Sequence, residues 1–244
     1  MLRAMTTRPR LDLEAARERT IPDVLPEPGA PFRVLFCGIN PGLYSAATGW
    51  HFARPGNRFW PALYRSGFTP RQLAPREQDL LPGFGLGITN LVARPTAQAS
   101  ELHSAELKAG REHLAALTDR YRPRVVAIAG ITAYRTAFGQ PRAGIGPQPD
   151  PLGPARIWVV SNPSGLNAHT SVPLLAQELR KLREALDAEW LPLPIPACPA
   201  VPAGHAGLSY VLLPATSGSC TRSMMSSNGV HHQHRGHRLN PIGP

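Results

Sequence analysis

Two short stretches of this chain combine residue types that suit chemistry on a ligand. The first is Gly38-Ile39-Asn40-Pro41-Gly42 and the second is Asn162-Pro163-Ser164-Gly165-Leu166-Asn167. Each sets an asparagine beside a proline, which removes a backbone donor and stiffens the turn, and each has a glycine that lets the backbone come close to a ligand. Neither offers an acid, a histidine or a cysteine placed as a strong nucleophile. Taken singly, an Asn-Pro turn reads as nothing more than a turn.

The elements that must position these loops follow from the hydrophobic pattern. Phe32-Arg33-Val34-Leu35-Phe36-Cys37-Gly38 is a short apolar run closed by glycine and proline, the pattern of a buried strand, and the first loop follows it directly. A helix is expected at Asn57 to Ser66, a strand at Gly87 to Val92 and an amphipathic helix at Glu101 to Arg120. Val125 to Gly130 reads as a strand and Thr132 to Phe138 as a brief helix. After a Gly/Pro-rich, hairpin-like stretch come a strand at Arg156 to Val160 and a closing helix at Val172 to Ala188. The second loop thus leaves the last strand as the first loop leaves the first. Strands alternating with helices predict a sheet covered on both faces. In such sheets, sites lie beyond the carboxyl ends of the strands, where strand order reverses.

Length and composition suit one globular domain with loose ends. The formal net charge of +10 over 244 residues favours a polyanionic partner. Cys37, Cys198 and Cys220 are far apart with no Cys-x-x-Cys pair, so neither a disulfide framework nor a thiolate metal cluster is supported, and a reducing cytoplasm fits. Met1 to Arg19 mixes arginines with Asp12, Glu14 and Glu18, has no continuous apolar run, and is expected as a flexible arm, neither signal peptide nor membrane helix. From Leu191 the chain turns rich in proline, serine, glycine and histidine with no acidic residue, which reads as a disordered tail over 191–244. Its fixed charges are Arg222, Arg235 and Arg238, so the remaining +7 of the formal net charge lies in the rest of the chain, mainly in 20–190, the expected domain.

The two loops become specific together with the text between them. Gly38 to Gly42, then Thr48-Gly49-Trp50-His51-Phe52-Ala53-Arg54-Pro55-Gly56-Asn57-Arg58-Phe59-Trp60, then Gly87-Ile88-Thr89-Asn90-Leu91-Val92, then Asn162 to Leu166 resemble, in order and spacing, the mismatch-specific uracil/thymine-DNA glycosylase family. The match runs from about Thr20 to Leu186. It implies a single three-layer α/β/α domain with a mainly parallel central sheet, like that of uracil-DNA glycosylases. It also implies a monofunctional glycosylase of base excision repair that takes uracil, with thymine or ethenocytosine as further candidates, out of G·U or G·T mispairs. The partner would be double-stranded DNA containing a uracil mismatch. The protein would need no cofactor or metal, act as a monomer, and lie in the bacterial cytoplasm, associated with the nucleoid through DNA.

Residue by residue, the resemblance makes Asn40 the group that positions the attacking water. An amide cannot serve as a general base, so the barrier would fall chiefly through stabilisation of a sugar cation and a uracil anion, and slow turnover is expected. Phe52 would stack on the flipped base, with backbone groups around Ile39 and Phe52 bonding its polar edge. Asn90 stands in the base pocket where some relatives have lysine, and Tyr44 and Ser45 stand near the base's 5-position. Leu166 would be the wedge that fills the vacated stack, Gly165 would let the loop approach the bases, Ser164 would hold a phosphate, and Asn162 would belong to the same loop. Ala168 replaces the arginine that the bacterial mismatch-uracil pattern carries two places beyond the wedge.

Gly83-Phe84-Gly85-Leu86-Gly87 precedes a strand and does not join a strand to a helix, so it reads as a turn and not as a dinucleotide fingerprint. His231, His232, His234 and His237 could bind metal adventitiously, with no fold to fix geometry. His51, His103, His113 and His169 are scattered and read as solvated, with His169, close to the second loop, also a candidate phosphate contact, while Arg54, Arg58 and Arg94 fit either a DNA-facing surface or a solvated basic face. The iron-sulfur class of uracil glycosylases needs four cysteine ligands, and this chain has three, badly spaced. A catalytically silent DNA-damage binder using the same pocket and wedge remains the alternative.

Overall fold

The computed structural model describes residues 11–188; the tail expected from Leu191 lies outside them. The sheet contains β1 (Val34–Gly38), β2 (Leu86–Asn90), β3 (Val125–Ala129), β4 (Gly146–Pro147) and β5 (Arg156–Val160), in the spatial order β2-β1-β3-β5-β4. The first four in that order are mutually parallel, and β4 runs antiparallel to β5 at the edge. Pro147 there lacks a donor, which only an edge position tolerates.

Helices cover both faces, giving the three layers that the alternation predicts. On one face α2 (Phe59–Arg65) and α5 (Val172–Ala188) bury Phe59, Leu63, Leu175, Leu179, Leu182 and Leu186 against Val34, Phe36 and Ile88. The spacing of the α5 leucines along one stripe is what a helix needs to close that side. On the other face α3 (Ser104–Tyr121) and α4 (Ile131–Phe138) pack Leu107, Leu114, Tyr134 and Ala137 on Leu35, Val126, Ile128 and Ile157. Both faces of β1 and β3 are therefore buried, which is why their sequences read as continuous apolar runs.

Several segments escaped the sequence reading. The chain after the first loop forms the short helix α1 (Leu43–Thr48), and Pro75–Phe84 winds as 3-10 turns that end at Gly85 with φ of 68°. Gly83 to Gly85 thus turn the chain into β2, as expected, while Leu86 and Gly87 are already in the strand. The free side of β2 carries an antiparallel bridge from Val24, whose N–H donates to Ile88 O at 2.9 Å and whose carbonyl accepts from Ile88 N–H at 2.8 Å. Within the expected N-terminal arm, Ala15–Glu18 forms one 3-10 turn with Ala16 fully buried, and Arg17 pairs with Glu101.

Candidate active site

From β1 the chain adds β2 on one side and β3 on the other, so the crevice past the carboxyl end of β1 is where strand order reverses. A cavity of about 120 Å³ opens there. Ile39 and Asn40 line it from the first loop, Ser45 from α1, Phe52 and Asn57 from the next loop, Asn90 from the end of β2, and Asn162, Ser164 and Leu166 from the second loop. The structure therefore brings eight of the ten predicted site residues to one place. Tyr44 instead lines an adjoining groove with Leu13 and Pro55, because α1 turns its side chain away from the cavity. Gly165 is not part of the lining either; it lies against the backbone of Gly56, whose oxygen would stand 2.9 Å from any β-carbon added at 165.

Asn40 is held by its nitrogen. Nδ2 donates to Thr96 Oγ1 at 2.8 Å, to Arg94 O at 2.9 Å and to Pro41 O at 3.2 Å. With the amide's donors used, its Oδ1 meets no donor among the described residues and remains the acceptor that the side chain offers to a ligand. Thr96 is itself strapped to the first loop, donating its N–H to Pro41 O at 3.1 Å and accepting from Leu43 N–H at 3.2 Å. Sequence reasoning passed over Thr96, since its bond to Asn40 spans 56 positions. The backbone N–H groups of Ile39 and Phe52 meet no acceptor among the described residues.

Phe52 adopts φ of 52°, in the left-handed region that costs a non-glycine residue about 1 to 2 kcal/mol. Three contacts keep it there. Ser45 Oγ accepts the N–H of the next residue, Ala53, at 3.0 Å. The Phe52 ring stacks on Phe59 with centroids 4.2 Å apart and planes 25° apart. Its far edge lies over Gly38, where an added β-carbon would come within 3.4 Å of Phe52 Cζ. One face of the ring is thus covered by Phe59 while the ring still lines the cavity.

Asn90 is oriented by His51, which is buried and not solvated as the sequence suggested. His51 Nε2 lies 3.0 Å from Pro22 O, a pure acceptor, so Nε2 carries the proton and Nδ1 carries the lone pair. Nδ1 then accepts from Asn90 Nδ2 at 3.3 Å. Asn90 Oδ1 is left on the other side, over Gly38, where a β-carbon would stand 2.4 Å away. Gly38 is required for that amide to lie across the strand end. Burial pushes the His51 imidazole below its ordinary pKa, which keeps it neutral. Buried Gln78 fixes the same loop, accepting from His51 N–H at 2.8 Å and donating to Gly49 O at 3.2 Å.

The second loop is tied down by its own polar groups. Asn162 Oδ1 accepts from Ser164 N–H at 2.9 Å, Ser164 Oγ accepts from Leu166 N–H at 3.3 Å, and Asn167 Nδ2 donates to Asn162 O at 3.1 Å. At its base the Glu178 carboxylate on α5 accepts from Ser161 N–H at 2.7 Å and Ser161 Oγ at 2.8 Å. Leu166 is nevertheless 60% exposed, an apolar side chain raised above a rigid turn. Of the arginines considered for a DNA surface, Arg94 is occupied by Glu106 at 2.9 Å, and Arg54 stands exposed at the cavity mouth.

Among the described residues lining the cavity, Arg54 is the one charged side chain, and neither a carboxylate nor a lysine is present. No three His, Cys, Asp or Glu side chains converge on a metal site among the described residues, and no described helix is long and apolar enough to cross a membrane. A larger cavity, about 630 Å³, lies at the opposite end of the sheet among Phe32, Tyr121 and Arg122 and contains none of the groups just described.

The fold and site define an α/β protein with a cavity at the carboxyl edge of its sheet, lined by side-chain amides and one face of an aromatic ring. The chain belongs to the uracil DNA glycosylase superfamily, whose family model matches residues 27–187. It is also similar to a Methanosarcina acetivorans protein, provisionally named a uracil DNA glycosylase and known from a solution NMR structure. That likeness has 18% identity and a TM-score of 0.46, and covers 68% of this chain and 98% of that one. Membership of the superfamily supports DNA glycosylase activity in general.

Proposed function

We propose that this chain is a monofunctional, mismatch-directed uracil-DNA glycosylase. One observation carries the reading: the Asn40 amide has its nitrogen anchored to Thr96 and Arg94, leaving its oxygen as an acceptor in a cavity without a carboxylate. Such a group orients a water but takes no proton from it, so bond cleavage must run ahead of attack. The C1′–N1 bond breaks with its electron pair going to uracil, and the water held by Asn40 then bonds to C1′ and loses a proton to solvent. The Ile39 and Phe52 N–H groups serve the developing uracil anion, which neutral, fixed donors stabilise well in a dry pocket. Asn90 Oδ1 accepts the ring N3–H, and Phe52 takes the base on its open face.

Flipping costs less at a mispair, so a G·U pair yields its uracil more readily than A·U. Leu166, exposed on its rigid turn, fills the space that the base leaves. Among the described residues the lining has no lysine to form a Schiff base with the sugar, which supports the monofunctional assignment. The test is a set of labelled duplexes carrying one G·U, A·U or G·T pair, with excess EDTA present throughout. Uracil release is expected, fastest from G·U, and strand breaks should appear only after alkali. Tight duplex binding without release would make the protein a damage binder; activity that EDTA abolishes and one metal restores would overturn the metal-free mechanism.

A further inference from the structure

We propose that Arg58 is a positioning residue that locks the wedge turn to the base pocket, so that seating the base and filling the stack become a single event. The inference rests on the glycosylase reading above. Arg58 donates its backbone N–H to Pro163 O at 2.9 Å, and its guanidinium Nη1 donates to Ser164 O. Ser164 O also accepts from Asn167 N–H at 3.0 Å, so the arginine grips the carbonyl that closes the turn beneath Leu166. The two loops touch backbone to backbone beside this grip, where Gly56 O would stand 2.9 Å from a β-carbon at Gly165.

The neighbours of Arg58 belong to the pocket. Asn57 lines the cavity and accepts the Phe59 N–H at 2.9 Å, and Phe59 is the ring on which Phe52 stacks. A half-buried arginine thus joins the wall that holds the base to the turn that raises the wedge. Its side-chain donor is charged and its acceptor is a carbonyl with two partners, an arrangement that an alanine leaves one donor short. Without the guanidinium the turn keeps its anchor at Ser161 and Glu178 and the backbone bond at Pro163, but the carbonyl beneath Leu166 loses its side-chain tie to the pocket wall, and the registry of the wedge loosens.

The experiment compares wild type, Arg58→Ala, Leu166→Ala and the double variant on A·U, G·U and single-stranded uracil substrates. Arg58→Ala should slow release about tenfold from A·U, less from G·U and less than about twofold from single strands. The double variant should be no slower than Leu166→Ala within about twofold, since both remove the same wedge action. A cleavage-resistant 2′-fluorinated uridine next to 2-aminopurine gives a readout without turnover: Arg58→Ala should bind this duplex but lose most of the fluorescence rise that reports unstacking. Arg58→Met, which keeps the aliphatic stem, should repeat these results with a melting temperature close to wild type.

Equal slowing on all three substrates would make Arg58 a pocket or phosphate residue, and fully additive losses would separate it from the wedge; either result overturns the proposal. Failure of the glycosylase reading itself shows differently, as a wild-type protein that releases no base from any substrate.

Discussion

The two loops at the carboxyl edge are built alike in sequence and oppositely in exposure. Around Asn40 the chain is packed and strapped, with Thr96, Arg94, Ser45 and His51 each fixing one group that faces the cavity. Around Leu166 the same kind of Asn-Pro turn is tied within itself and lifts an apolar side chain into solvent. Buried polar groups with all their donors used hold a reacting molecule still. A stiff turn with an unburied leucine awaits a surface that completes it. The first loop should therefore govern chemistry and the second should govern access to a paired base.

The largest effect expected from that division is at Asn40. Asn40→Ala should lower base release by at least about a hundredfold, the usual scale for removing one oriented polar group from a preorganised site. Affinity for a G·U duplex should stay within a few-fold, because the wedge turn is untouched. Single-turnover rates alongside gel-shift titrations make the comparison, and matched losses in both would turn Asn40 into a structural residue.

Next comes Leu166. Removing its buried contact in the stack forfeits roughly 1.5 to 3 kcal/mol, or about tenfold to a hundredfold in rate on a well-paired A·U duplex. G·U should suffer less and single strands least, since these have no pair to replace. Uniform slowing across the three substrates, in a variant that stays folded, would show the leucine packing its own loop and erase the contrast between the two regions.

The smallest effect is the pH response of the first loop's support. Burial holds the His51 imidazole below its ordinary value of 6.5, so the unfolded chain takes up a proton that the folded protein resists. Stability present at neutral pH should be lost as pH falls below about 6.5, toward the lower folded value, and the Asn90 amide should lose its acceptor in the same window. Melting curves between pH 7.5 and 5 should drop by a few degrees more for wild type than for His51→Gln. Parallel curves would remove His51 from the account.

How much of this was legible in the sequence differs by the range of the interaction involved. The strands at Val34, Val125 and Arg156 and the helix over 172–188 announce themselves because their burial writes a local period into the chain. The six-residue helix α1 does not, since Leu43 to Thr48 is too short for a period and is held by Ser45 and Ala46 packing inward. Pro82 and Gly83 hide the 3-10 turns before β2. Among site residues, those inside the two Asn-Pro loops were visible, and so was Phe52 within its motif. Their supports were not: Gln78 meets His51 across 27 positions, Thr96 meets Asn40 across 56, and Arg58 meets Ser164 across 106. The resemblance puts Tyr44 and Ser45 together near the base's 5-position, whereas successive residues on a helix face different ways and only Ser45 lines the cavity.

The left-handed backbone of Phe52 has a kinetic consequence. The strain is balanced by contacts within the protein itself, the Ser45 bond and the Phe59 stack. On the reading proposed here, a protein moving along DNA thus carries a finished receptacle that waits for no rearrangement of its own. What is left to overcome at each base pair is the opening of the pair itself, the step in which the Leu166 turn takes part.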